Sequence, residues 1–181
     1  MKLLIVSGLS GAGKSVALGM LEDLGYYSID NMPLSLLRAL TQGLSEQTDA
    51  SEQRVAVGVD ARARRDDIAS FPEHIAKLRA EGLTVETLFL TADDAVLLRR
   101  YAETRRKHPL TDSNTTLTQA IAKEREILAP IAALADNTVN TSTTNMHALR
   151  GLIRKYAKTD AGAGRGLVFQ SFGFKHGVPL G

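Results

Sequence analysis

The sequence predicts an α/β fold in which a mostly parallel sheet is covered by helices on both faces. Three observations predict it. A glycine-rich stretch, Gly8-Leu9-Ser10-Gly11-Ala12-Gly13-Lys14-Ser15, lies directly between the apolar run Leu3-Leu4-Ile5-Val6 and a helical recurrence of Val16, Ala17, Met20, Leu21 and Leu24. Short β-prone runs then alternate with helix-spaced stretches, the pattern of parallel strands joined by helical crossovers. Two of those runs end in a carboxylate, Asp30 and Asp60, and the carboxyl ends of strands form the edge of an open α/β sheet where ligands bind.

The first element narrows the class. Residues 8–15 fit G-x-x-x-x-G-K-[ST] at every fixed position, in the strand, loop and helix context that a phosphate-binding loop requires. The glycines at 8, 11 and 13 allow main-chain N–H groups to turn inward around a phosphate, and the helix adds the positive end of its dipole. Lys14 is placed for the outer phosphates and the Ser15 hydroxyl for a magnesium ion that bridges them. With the fixed letters at ordinary usage, the motif arises by chance in under about one chain in a hundred of this size. The expected architecture is therefore a three-layer P-loop NTPase, kinase-like in carrying an arginine-rich lid segment.

The remaining elements follow in order. Tyr26-Tyr27-Ser28-Ile29 reads as a strand ending at Asp30, and Pro33 suits the first turn of a helix with Leu34, Leu37 and Leu40 inward. Asp30 either meets a ligand or shapes the turn. Residues 43–53 are polar and read as a loop, after which Arg54–Val59 is an apolar strand delivering Asp60. An aspartate at such a tip, opposite Lys14 and Ser15, is expected to hold magnesium and to act with Lys14 in catalysis. Ser70 to Glu73 has the form of a capping box for a helix bearing Ile75 and Leu78. Val85–Leu90 is a further strand, followed by a helix with Val96, Leu97 and Tyr101 inward.

Arg99 to Asn114 breaks the alternation, being dense in cations and interrupted by Pro109. It reads as a lid whose arginines at 99, 100, 105 and 106 neutralise phosphate charge, or as a charged helix end. Leu117, Ile121, Leu128 and Ile131 mark one side of the next helix, with Glu124 and Glu126 among its polar neighbours and Pro130 ending or kinking it. Thr138-Val139 is a short strand. Thr143 or Thr144 then caps a helix carrying Met146, Leu149, Ile153 and Tyr156. Residues 1–158 are read as one P-loop nucleotide-binding domain, 159–166 as a linker, and 167–181 as the start of a C-terminal domain cut short.

Composition supports a globular chain and excludes several classes. At 181 residues and 44% hydrophobic it can bury a substantial core. The chain has no cysteine, so disulfides and thiolate metal sites are excluded. The apolar run near the N-terminus is too short for a signal-peptide core or a membrane span, so a cytoplasmic protein without a membrane partner is expected. The formal charge of +2 does not by itself imply a nucleic-acid partner, although cations cluster at 99–108 and at Arg62, Arg64 and Arg65.

The segments GLSGAGKSVAL, YYSIDNMP, VDAR at 59–62, RRYAETRRKHPL at 99–110 and SFGFKHG at 171–177 together resemble the RapZ/YvcJ family of P-loop nucleotide-binding proteins, some of which are RNase adapters. The resemblance implies binding and slow hydrolysis of ATP and GTP with Mg2+. It also implies a second nucleotide-associated segment at Asp60, Ala61, Arg62 and Ala63, where Ala63 replaces a polar residue of relatives. RNA and an RNase are implied as partners through a further C-terminal domain, and a homo-oligomer is left open. Two other functions are weighed. A small-molecule kinase would use Asp30 on an acceptor hydroxyl, and a nucleic-acid module would use the two basic clusters.

Overall fold

The computed structural model describes residues 1–47 and 53–159. Five strands, β1 (Lys2–Gly8), β2 (Tyr27–Ile29), β3 (Arg54–Val59), β4 (Thr84–Thr91) and β5 (Asn137–Asn140), form one sheet in the order β2-β3-β1-β4-β5. Every pairing is parallel. The helices are α1 (Lys14–Asp23), α2 (Leu37–Ser45), α3 (Arg65–Ala69), α4 (Phe71–Ala80), α5 (Asp94–Thr104), α6 (Leu117–Leu134) and α7 (Met146–Thr159). Strands β1 and β3 are apolar on both sides of the pleat because both faces are covered: Leu3, Leu4, Ile5 and Val6 are fully buried, as are Ala56, Val57 and Val59.

The chain leaves β1 toward one edge, returns through β3, and crosses β1 to reach β4. Right-handed crossovers in opposite directions put helices on opposite faces. Accordingly α1 packs with α7, and α6 packs with α3, α4 and α5. The direction reverses at β1, so the crevice for a ligand opens above the carboxyl ends of β1 and β3.

Several local expectations change. Ser70 does not cap α4 with its side chain; its hydroxyl donates to the Asp66 carbonyl at 2.8 Å. The unforeseen helix α3 runs straight into Ser70, whose φ of −89° and ψ of 12° lack the extended backbone that N-capping uses. The capping box lies instead at Thr116 and Gln119, where each side chain accepts from the other's main-chain N–H. Asn145 begins α7 in place of Thr143 or Thr144, its side chain accepting from Ala148 N–H at 2.8 Å. Pro130 lies inside α6, which continues to Leu134. Pro33 precedes a 3-10 turn at Leu34–Leu36 that leads into α2. Residues 48–52 of the expected polar loop, the linker beyond residue 159, the strand-like stretch at 167–174 and SFGFKHG at 171–177 lie outside the described residues.

Candidate functional site

The register of the sheet brings the sequence motifs together. Ser7 pairs with Val59, and the Ser7 hydroxyl donates to the Val59 carbonyl at 2.8 Å, so β1 and β3 end side by side. The glycine-rich loop therefore leaves β1 next to the turn that carries Asp60. Gly11 and Gly13, with φ of 88° and 109°, take the chain through conformations that side chains disfavour, and α1 starts immediately after at Lys14.

Four consecutive loop residues, Leu9 to Ala12, are held by hydrogen bonds. Leu9 N–H donates to Leu90 O at 3.0 Å, and Ala12 N–H turns back to Leu9 O at 2.9 Å. Ser10 donates through its N–H and its hydroxyl, at 2.7 and 2.6 Å, to the two oxygens of Glu124. The Gly11 carbonyl accepts from Arg100 Nη1 at 2.9 Å and the Ala12 carbonyl from the Thr141 hydroxyl at 2.8 Å. Arg100 is itself fixed by the Thr141 carbonyl at 2.6 Å. With these carbonyls turned outward, the N–H groups of Gly11, Gly13, Lys14 and Ser15 meet no acceptor among the described residues. Free amides at the positive end of α1 have the form of an anion nest.

Lys14 Nζ reaches across the mouth of the site to Asp30 Oδ1 at 2.7 Å and lies 3.9 Å from Asp60 Oδ2. Asp30 is at the tip of β2, which pairs through Ile29 with Val57 of β3. It leans over Gly58, where any Cβ would collide with its carboxylate and with Leu18 Cδ1 at 2.8 Å. Asn31 follows with φ 53°, and its N–H caps the same Asp30 oxygen at 2.7 Å. Asp30 thus shapes its turn and also faces Lys14.

Asp60 is buried, 6% exposed. Arg62 grips it through Nε at 3.1 Å to both oxygens, Nη2 at 2.6 Å and its main-chain N–H at 2.9 Å. Burial pushes the Asp60 carboxyl up, but the hydrogen bonds and charge of Arg62, with the charge of Lys14, outweigh it and hold the group below the usual carboxylate value. Ala63 N–H closes the turn on Asp60 O at 3.0 Å. Ala61 is buried and Ala63 packs against the core, so both line the turn with methyl groups.

The expected cationic lid divides in two. Arg99, Arg105 and Arg106 are exposed, whereas Arg100 is committed to the carbonyls under the loop. Glu124 also departs from expectation: it is buried, 1% exposed, on the inner side of α6 with Ile121 and Leu128. The signal was in the spacing, because positions 117, 121, 124, 128 and 131 alternate by four and three, the inward rhythm of a helix. Arg100, expected as a lid cation, braces the loop instead, and Thr141 left no trace in the sequence.

The donor types suit magnesium: Ser15 is exposed on the first turn of α1, and Asp60 is a carboxylate oxygen donor, held in this structure by the half-exposed Arg62. Among the described residues no group of three or more His, Cys, Asp or Glu could hold a metal without further oxygens, and phosphate oxygens supply those in P-loop sites. No helix among the described residues is long and apolar enough to cross a membrane.

The chain is 49% identical over 178 residues to a nucleotide-binding protein of Alkalilimnicola ehrlichii, covering 98% of this chain and 62% of that one. It is 48% identical to one of Hahella chejuensis, covering 99% and 63%. The chain thus spans about three-fifths of the length of the curated relatives it matches. Among solved structures it resembles shikimate kinase from Bacteroides thetaiotaomicron, with a TM-score of 0.53 and 16% identity, covering 88% of this chain and 98% of the kinase. That likeness is one of fold, and it agrees with the expected P-loop architecture of a parallel sheet covered by helices. The RapZ-like N-terminal domain family matches residues 1–161, and the chain belongs to that family.

Proposed function

We propose that this chain binds ATP or GTP with Mg2+ at residues 8–15 and hydrolyses it slowly, as the nucleotide-responsive part of a regulator. The observation that carries this reading is the loop itself, whose Gly11 and Ala12 carbonyls are taken up by Arg100 and Thr141 while the N–H groups of Gly11, Gly13, Lys14 and Ser15 meet no acceptor among the described residues. In this reading residues Gly8 to Gly13 cradle the phosphates and Lys14 exchanges Asp30 for phosphate oxygens. Ser15 and Asp60 would hold the metal, which when bound neutralises the charge shared by the outer phosphates. Residues 60–63 form the facing wall of the site. The exposed Arg99, Arg105 and Arg106 are the cations available to cover it. Both carboxylates at the mouth, Asp30 and Asp60, are engaged by cations, which suits weak turnover.

The relatives are named as nucleotide-binding proteins. That the bound nucleotide would be read by RNA or a protein partner, an RNase among them, through the two-fifths of the relatives' length that this chain does not span, rests on the resemblance of the sequence motifs to the RapZ/YvcJ family. The domain limits proposed are 1–158 for the nucleotide-binding unit, with a linker and a second domain after it. Titration calorimetry tests the central point: Lys14→Ala should lower ATP and GTP affinity by about tenfold or more with an unchanged far-UV spectrum, and equal binding by the two proteins would refute it.

One observation favours a second reading, a small-molecule kinase. Asp30 is held at Lys14 by a glycine at 58 and a left-handed Asn31, as an acceptor-binding carboxylate would be. Labelled ATP with a panel of hydroxylated acceptors separates the two, since transfer in proportion to acceptor supports the kinase and phosphate release independent of acceptor supports the regulator.

A further inference from the structure

Behind the loop, on the side away from the phosphate hollow, lies a buried polar cluster that nucleotide binding alone does not require. Glu124 and His108 are 1% and 2% exposed. Leu110 N–H donates to His108 Nδ1 at 3.0 Å, which leaves the ring proton on Nε2, and that nitrogen lies 3.3 Å from Glu124 Oε1. The same Oε1 accepts from Ser10 N–H, and Oε2 accepts from the Ser10 hydroxyl. Tyr101 completes the cluster, its ring 5.4 Å from the His108 ring at a tilt of 44°. A Cβ at Gly11 would stand 3.4 Å from Tyr101 Cε2.

One carboxylate therefore joins two segments that are 98 positions apart. A buried carboxylate is tolerable only while its oxygens keep donors. All three donors come from Ser10, inside the phosphate loop, and His108, inside the cation-rich stretch that follows α5 at Thr104 and precedes α6 at Leu117. If residues 105–116 lift away, Glu124 loses His108 and its grip on Ser10 is the only one left. If the loop deforms, Glu124 loses two donors and the packing of His108 is undercut. Each segment thus favours the docked form of the other, which is a coupling free energy between two sites.

We infer that Glu124 is a positioning residue that makes the shape of the phosphate loop and the docking of residues 105–116 a single event, so that filling the loop steadies residues 105–116 in their docked position. This inference rests on the nucleotide reading for its direction, while the coupling itself is a property of the ligand-free chain.

Hydrogen–deuterium exchange on the whole chain, alone and with AMP-PNP and magnesium chloride, tests it beside calorimetry. In the unaltered protein AMP-PNP should slow exchange in 8–15 and in 105–116 together, by about tenfold or more. In His108→Ala, AMP-PNP should still slow 8–15 but no longer 105–116, and His108→Gln, which keeps an N–H donor, should restore part of the effect. Ser10→Ala, the reciprocal variant, should speed ligand-free exchange in 105–116, and it keeps the test open if His108→Ala does not fold. In the ligand-free chain, His108→Ala should speed exchange in 8–15. Two results would overturn the inference: AMP-PNP that binds yet leaves 105–116 unchanged, or a ligand-free His108→Ala effect confined to 105–116. Absence of AMP-PNP binding by the unaltered protein would instead overturn the nucleotide reading, with the ligand-free comparison still deciding the coupling.

Discussion

Thr141→Val removes one hydroxyl from beneath the loop and keeps the shape of the side chain. That hydroxyl donates to the Ala12 carbonyl at 2.8 Å, lies 3.3 Å from the Thr91 carbonyl, and accepts from Arg100 Nη1 at 3.1 Å. Thr141 is 2% exposed, so water cannot easily replace it. Arg100 retains the Gly11 and Thr141 carbonyls, and Ala12 O is the group left short of a donor. Leaving a buried carbonyl unsatisfied costs about 1–3 kcal/mol. Taking about 2 kcal/mol, the melting temperature of a domain of this size falls by about 4–8 °C. Nucleotide affinity should fall as well, because an unpinned Ala12 peptide is free to rotate its carbonyl toward the hollow. Scanning calorimetry and nucleotide titration measure the two effects, with Ile75→Val in α4 as a destabilised control remote from the loop. If Thr141→Val melts like the unaltered protein, or if it loses no more affinity than the control, the bracing of the loop from β5 is refuted.

Three further outcomes are expected. Asp30→Asn removes the anion that competes with phosphate for Lys14; with Asp30 half-exposed and screened, nucleotide affinity should rise only by about two- to fivefold, and a fall would favour a direct role for Asp30 in binding. Asp60→Ala should weaken nucleotide binding more in the presence of magnesium than in EDTA, and an equal loss in both would remove the metal assignment. The same carboxylate sets an acid limit: its value is depressed in the folded chain, so its stabilisation is present above its unfolded value of about 4 and is lost as pH falls through the lower folded value. Melting temperatures below about pH 4 should therefore decline less steeply in Asp60→Asn than in the unaltered protein.

What could be read in advance was what contiguous residues determine. The phosphate loop, its strand and its helix are local, so eight letters and their flanks specify them. Asp60 was legible as a strand tip, but its adjacency to Lys14 depends on the Ser7–Val59 register, which no local pattern carries. Glu124 was misjudged through residue type, since its position in the apolar rhythm pointed inward while its carboxylate suggested solvent. Ser70 failed as a cap because the five-residue α3 before it had too little periodicity to detect, and that helix sets the Ser70 backbone. Asn145 was one of several adjacent polar residues able to cap α7, and only the hydrogen bond to Ala148 chooses among them. Arg100 was expected as a lid cation and Thr141 not at all, and their bracing role was illegible for a different reason: their partners lie 89 and 129 positions away, and neither residue type nor spacing announces such a meeting.

Those long-range braces have a thermodynamic consequence. A hollow assembled from β5, α5 and α6 does not exist in a partly folded chain, because the last strand must dock before Ala12 acquires its support. Any ligand that fits there therefore recognises only the finished molecule, and its binding energy is added to the free energy of global unfolding rather than to the rigidity of one turn. Saturating ligand should accordingly raise the midpoint of a single cooperative transition and leave no separate, earlier melting of the N-terminal strand and helix.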